Sequence, residues 1–238
     1  MSTPRTFVLV HSPLVGPATW RGVAIELTGR GHRAAVPSML GFESDGRPYW
    51  PGFVDRLVAS CAMVDGPLTL VAHSGAGPLL PIAVDRLGDR VEAVIFAEAS
   101  IAPEQGVAEL APEWLRQHLG SLAVDGILPP WSAWWGDDAM TTLIPDARVR
   151  AELEADLPSL PLDYFEQTVP VPDGWTSDVR SAFLWFSDVY EGEAADARGR
   201  GWPVERLPGT HLHMVTHPAA VADGLLSIGA GTDGGAFA

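Results

Sequence analysis

The chain has 238 residues, 47% of them hydrophobic and 19% charged, enough for one domain with a sizeable core. Thirty Asp+Glu against fifteen Lys+Arg give a formal net charge of −15, which repels nucleic acid and anionic membrane surfaces and leaves a small molecule as the expected partner. Every cation is an Arg and Asn is absent, which excludes Schiff-base lysine chemistry, a P-loop lysine and N-glycosylation; the single Cys61 cannot pair within the chain.

The first element in chain order is the apolar run Thr6-Phe7-Val8-Leu9-Val10, expected as a strand buried on both faces and followed by a loop rich in Ser, Pro and Gly. His11 interrupts the run far short of the ~20 apolar residues that a membrane span requires. No signal-peptide cleavage pattern accompanies it, so a cytoplasmic protein without a membrane partner is expected. A helix over 20–27 leads to a second strand within 31–37, and a helix over 53–63 leads to a third strand over 67–72. Further strands are expected over 91–97 and 181–186. Strands alternating with helices imply right-handed crossovers and a mostly parallel sheet covered on both faces, with ligands beyond the C-terminal ends of its strands. The interval 103–176 breaks this rhythm with dense Pro, five Trp and short helices near 112–119 and 146–157. It reads as a cap insertion between core segments 1–102 and 177–228. The Gly-rich residues 229–238 have little to bury and are expected to form a flexible tail.

The most informative stretch is Leu70-Val71-Ala72-His73-Ser74-Gly75-Ala76-Gly77. A buried-strand run ends there in small residues around a Ser, and a helix is expected to follow. A sharp strand-to-helix turn of this kind holds a serine in a strained, exposed conformation, and bulky neighbours two positions away would clash, which Ala72 and Ala76 avoid. The helix N-terminus beside Ser74 would aim free N–H groups and a positive dipole end at a developing oxyanion. The plainer reading of the same residues is a turn that packs tightly.

These segments together resemble the α/β-hydrolase superfamily over most of the chain. Phe7-Val8-Leu9-Val10-His11-Ser12 looks like that family's apolar strand ending in His-Gly, Gly31-His32-Arg33-Ala34-Ala35-Val36-Pro37-Ser38 like its next strand, and Val71 to Gly77 like its nucleophile elbow. The ordering before Trp20 looks closest to the small hydroxynitrile-lyase and methylesterase branch. The resemblance implies an α/β fold with a mostly parallel central sheet, flanking helices and a helical cap.

A serine needs a base within hydrogen-bond reach, which directs attention to the histidines beyond the last core strand. Leu207-Pro208-Gly209-Thr210-His211-Leu212-His213-Met214 resembles the family's loop carrying the catalytic His, and the match falls on His211, with His213 and His217 as neighbours. Three nearby histidines could alternatively suggest zinc, but no Cys or carboxylate cluster accompanies them, so no metal is expected. The acid that orients His211 is expected at Asp188, just after the 181–186 strand, where the family usually places it. Glu191 and Glu98 are the alternatives.

One departure bears on mechanism. The family's oxyanion hole takes one N–H from the residue after the serine, here Gly75, and another from the residue two places after the first-strand His. That second position is Pro13, which has no N–H. In a well-studied hydrolase the loss of one donor costs about 2.7–4 kcal/mol of transition-state stabilisation. Either Leu14 supplies the N–H through a shifted loop, or the site is not built for a tetrahedral intermediate.

The insertion's Trp131, Trp134 and Trp135 offer flat apolar walls over Ser74, suited to an apolar substrate, with Ser12, Pro13 and His73 completing the expected contact set. The Asp137-Asp138 pair lacks metal-loop spacing, and no organic cofactor motif is present. The leading expectation is a serine hydrolase of a small apolar ester, thioester or lactone. Its rivals are a non-hydrolytic lyase, isomerase or cyclase on the same fold, and a binding module with a retired triad.

Overall fold

Apolar runs that lack polar alternation must be covered on both faces, and these runs form the centre of a parallel sheet. The computed structural model describes residues 3–136, 138–177 and 179–231. Strand β1 (Thr6–Val10) leads through α1 (Ala18–Gly29), β2 (Arg33–Ala35) and α2 (Trp50–Ala62) to β3 (Leu68–Ser74), α3 (Leu80–Leu87) and β4 (Val91–Ala99). The chain then leaves the sheet for β5 (Gly106–Glu109), α4 (Glu113–Leu122), α5 (Ala139–Leu143), α6 (Ala147–Glu154) and β6 (Thr168–Val171). It returns through β7 (Arg180–Trp185), α7 (Glu191–Gly199), β8 (Val204–Arg206), α8 (His213–Thr216) and α9 (Pro218–Gly231).

The main sheet has the order β2-β1-β3-β4-β7-β8, and every neighbouring pair is parallel. All residues of β1 and β3 are buried, with α1 packed against α9 and α2 against α3. Each fully covered side chain such as Phe7 or Leu9 stabilises the fold by about 1.5–3 kcal/mol. Cys61 is buried in α2, and that burial pushes its thiol up to about 11, so it acts as a small hydrophobe.

Two features of this topology place the site. From β1 the chain moves outward to β2 and then crosses back to β3 on the other side of β1, so the loops after β1 and β3 diverge and open a crevice at the strands' C-terminal ends. The stretch between β4 and β7 adds no strand to the main sheet; β5 and β6 pair with each other, antiparallel. It is tied back to the core where Asp156 accepts the Ala18 N–H at 3.2 Å and Gln167 accepts the Tyr49 N–H at 2.9 Å, and its own two ends are joined where the Trp175 indole donates to the Pro103 carbonyl at 3.1 Å.

Several local expectations shift. β4 runs through Ala99 rather than ending at Ala97, so Glu98 lies within the strand. A 3-10 turn over Gly77–Leu79 precedes α3, which begins only at Leu80. Gly77 is required there, because a Cβ would lie 1.9 Å from the Ser100 carbonyl oxygen. Helix α9 continues through Gly231, into the segment expected to be flexible, and 232–238 lie outside the described residues, as does Asp137. Among the described residues no helix is long and apolar enough to cross a membrane.

Candidate active site

Ser74 ends β3 with φ +55°, a left-handed conformation that costs an L-residue on the order of 1–3 kcal/mol and persists only where surrounding contacts impose it. The contacts are on both sides of the turn: Ala76 N–H donates to the His73 carbonyl at 3.0 Å, and Ser100 N–H to the Ser74 carbonyl at 3.2 Å. Ala72 and Ala76 are fully buried, so nothing larger would fit the turn as it stands. The serine faces a cavity of about 810 Å³ whose wall includes His211, Tyr190 and the indoles of Trp131, Trp134 and Trp135.

The acid beside His211 is Glu98, and Asp188 does not occupy that place. Asp188 sits on a 3-10 turn with its side chain 81% exposed and accepts from Arg206 at 2.7 Å. Glu191 is likewise exposed, at the start of α7. Glu98 is completely buried, with φ +50°, and its carboxylate accepts from Phe186 N–H at 2.7 Å, from Ser187 N–H at 3.1 Å and from the Ser187 hydroxyl. Its Oε1 stands 3.9 Å from His211 Nδ1, a nitrogen with no hydrogen-bond partner among the described residues. Catalytic hydrogen bonds are often long in ligand-free sites and shorten in the complex.

His73 also departs from expectation. Successive strand residues point to opposite faces, so the neighbour of Ser74 turns away from the cavity into the protein. Burial holds its imidazole well below the usual range, and the neutral ring donates from Nε2 to the His211 carbonyl at 3.1 Å. The two rings lie 4.6 Å apart, so His73 supports the base rather than touching a ligand. His213 stacks on His217 at 4.5 Å and packs against Phe186.

Tyr190 is a functional candidate that the sequence did not single out. Its ring lies parallel to His211, 5.4 Å between centroids and 5° between planes, and its hydroxyl is 3.3 Å from Ser74 Oγ. Burial raises its pKa well above the ordinary phenol value, so it stays protonated. Glu193, one turn further on, also lines the cavity, and burial, together with repulsion from Glu98, raises its carboxyl pKa.

On the opposite wall, no acceptor for the Gly75 N–H is found among the described residues. Pro13 lies across from it, and the Leu14 N–H is turned toward Ser12 Oγ at 3.3 Å. Ser12, Pro13 and Leu14 all line the cavity. His11 fixes this loop: its Nε2 accepts the Met39 N–H at 3.1 Å, and its Nδ1 therefore donates to the Ser12 carbonyl at 2.8 Å.

No protein-family model matches the chain. Among curated proteins it is similar to the carbendazim hydrolyzing esterase of Nocardioides sp. (strain SG-4G), 26% identical over 251 residues and covering 94% of this chain and 99% of that protein. An extracellular alpha/beta-hydrolase from a Paenibacillus species superposes with a TM-score of 0.74 at 16% identity, over 94% of this chain and 99% of its own. The chain has the α/β-hydrolase fold. A pyrethroid hydrolase from Sphingobium faniae JZ-2 shares it, with a TM-score of 0.71 at 18% identity over 97% of this chain and 100% of its own.

In this α/β-hydrolase fold the buried histidines set the acid limit. Burial lowers His11 from 6.5 to about 4, and it also lowers His73, His32 and His213. Between about 6.5 and 4 the unfolded chain therefore binds protons that the folded chain refuses, so stability is full above 6.5 and declines as pH falls. His11 alone contributes a loss of about 3 kcal/mol across that window. The carboxylates that relieve the −15 charge protonate mostly at its lower end. The urea midpoint is expected to fall steadily from pH 7 to pH 4.5; a flat profile would contradict neutral burial of these rings.

Proposed function

We propose that the chain is a carboxylic ester hydrolase acting through Ser74, His211 and Glu98 on a small, largely apolar ester, thioester or lactone. The observation that carries this reading is that His211 lines the same cavity as Ser74, with its Nδ1 3.9 Å from a buried carboxylate held by three donors. Such a carboxylate fixes the imidazole tautomer with Nδ1–H, freeing Nε2 to take a proton. Ser74 Oγ attacks the carbonyl carbon as its proton passes to His211 Nε2, and the Gly75 N–H stabilises the oxyanion. Collapse expels the alcohol, which takes the proton from His211 and leaves an acyl group on Ser74. Water, deprotonated by His211, then attacks the acyl carbon, and collapse releases the acid as His211 returns the proton to Ser74 Oγ.

The similarity to the curated esterase supports the reaction class. The cavity supports the substrate class: its walls are aromatic, and Asp138 and Glu193 are its acidic members, with no Arg among the lining residues. A carboxylate on the substrate would meet like charge in a partly desolvated space. Tyr190 holds the Ser74 hydroxyl in the free enzyme, and the incoming ester displaces it as Ser74 turns toward His211.

The test is labelling with a fluorophosphonate, followed by peptide mass spectrometry. One adduct is expected, on Ser74, and it should be lost in Ser74→Ala. An unlabelled but folded protein would overturn the reading.

A further inference from the structure

We propose that the Ser12 hydroxyl, in place of a second backbone N–H, completes the oxyanion site opposite Gly75. The proposal rests on the hydrolase reading above and addresses the gap left by Pro13. The Leu14 N–H does not fill that gap, because it points at Ser12 Oγ from 3.3 Å. That contact uses the oxygen as an acceptor, so the hydroxyl proton must point elsewhere. No acceptor for it is found among the described residues, although Ser12 is only 1% exposed. A buried hydroxyl donor without a partner is costly and uncommon unless a ligand supplies the acceptor.

The surroundings aim this group rather than leave it loose. The Ser12 carbonyl accepts from His11 Nδ1 at 2.8 Å and from Val15 N–H at 3.1 Å, so the backbone is fixed from two directions while the side chain is pinned by Leu14. Ser12 and Gly75 both line the cavity and lie close together: a Cβ on Gly75 would lie 3.6 Å from Ser12 Oγ. A carbonyl oxygen next to Ser74 would therefore meet the Gly75 N–H from one side and the Ser12 O–H from the other. Accepting from Leu14 polarises the hydroxyl and strengthens its donation, and rotation about one bond lets its proton follow the oxygen as the carbon becomes tetrahedral. No bond to Ser12 forms or breaks; it keeps its proton throughout.

The experiment compares Ser12→Ala and Ser12→Thr with the parent on an activated ester that the parent hydrolyses. Ser12→Ala is expected to lower kcat by about 10²-fold with little change in KM, the pattern of an interaction made only in the transition state. Ser12→Thr, which keeps a hydroxyl, is expected to recover most of the rate. The discriminating readout is inhibition by a trifluoromethyl ketone, which forms a tetrahedral oxyanion on Ser74, set beside the matching secondary alcohol, which forms none. Ser12→Ala should lose about 10²-fold in affinity for the ketone and none for the alcohol. Equal losses for both would mean a shifted loop and would overturn the proposal, as would Ser12→Ala retaining the parent's kcat. A parent that neither hydrolyses activated esters nor takes a fluorophosphonate label overturns the hydrolase reading and this proposal with it.

Discussion

Ser74→Ala is expected to reduce kcat/KM for any ester substrate by roughly 10⁵–10⁶-fold while leaving the protein folded. The substitution removes one oxygen and its contact with the Tyr190 hydroxyl, and leaves His211, Glu98 and the sheet as they are. Without Oγ there is no acyl-enzyme, and the groups that remain can assist only slow direct attack by water. Adding His211→Ala to Ser74→Ala should cost little more, since members of one catalytic unit are strongly non-additive. The measurement is steady-state hydrolysis with circular dichroism as the folding control. Hydrolysis that survives Ser74→Ala and vanishes in His211→Ala would replace the acyl-enzyme with direct attack by water that His211 deprotonates.

Glu98→Gln is expected to lower kcat by about 10⁴-fold, whereas Asp188→Asn should change it by less than about twofold. An amide at position 98 presents an NH₂ where the carboxylate accepted from Phe186 N–H, Ser187 N–H and the Ser187 hydroxyl, and it no longer dictates which His211 nitrogen carries the proton. The loss of acceptors also costs about 1–3 kcal/mol of stability, visible as a lower urea midpoint. Asp188, exposed and paired with Arg206, has no such hold on His211. The reverse outcome, a collapse in Asp188→Asn with Glu98→Gln near wild type, would restore the acid to the loop after β7.

Much of this architecture is legible in the amino-acid order because burial on both faces leaves a simple signature. Phe7 to Val10 and Leu68 to Ala72 carry no polar alternation, and both became central strands. The turn at Ser74 was readable because its small neighbours are a steric requirement written directly into side-chain size. The acid was legible only as one of three alternatives, with Asp188 ahead of Glu98, since apolarity suggested that β4 ends at Ala97, while backbone pairing carries it through Ala99 and takes Glu98 inside. A signal was present: a carboxylate between Ala97 and Ala99, directly after a buried run, is costly to bury without dedicated donors, and Ser187 supplies two of them. His73 failed as a ligand contact for a similar reason, because the strand's two-residue alternation sends it away from the face that Ser74 serves. Tyr190 depends on how a 3-10 turn leaves β7, a geometry no residue pattern announces.

If Ser74 and His211 act as proposed, the stacked tyrosine competes for both of them. With its hydroxyl on Ser74 and its ring flat against His211, Tyr190 keeps the two reacting partners engaged with itself instead of with each other. Under the proposed reading, Ser74 exchanges one hydroxyl partner for another when it turns toward His211, so a Tyr190→Phe change leaves the stack in place and removes only that competing hold on the serine.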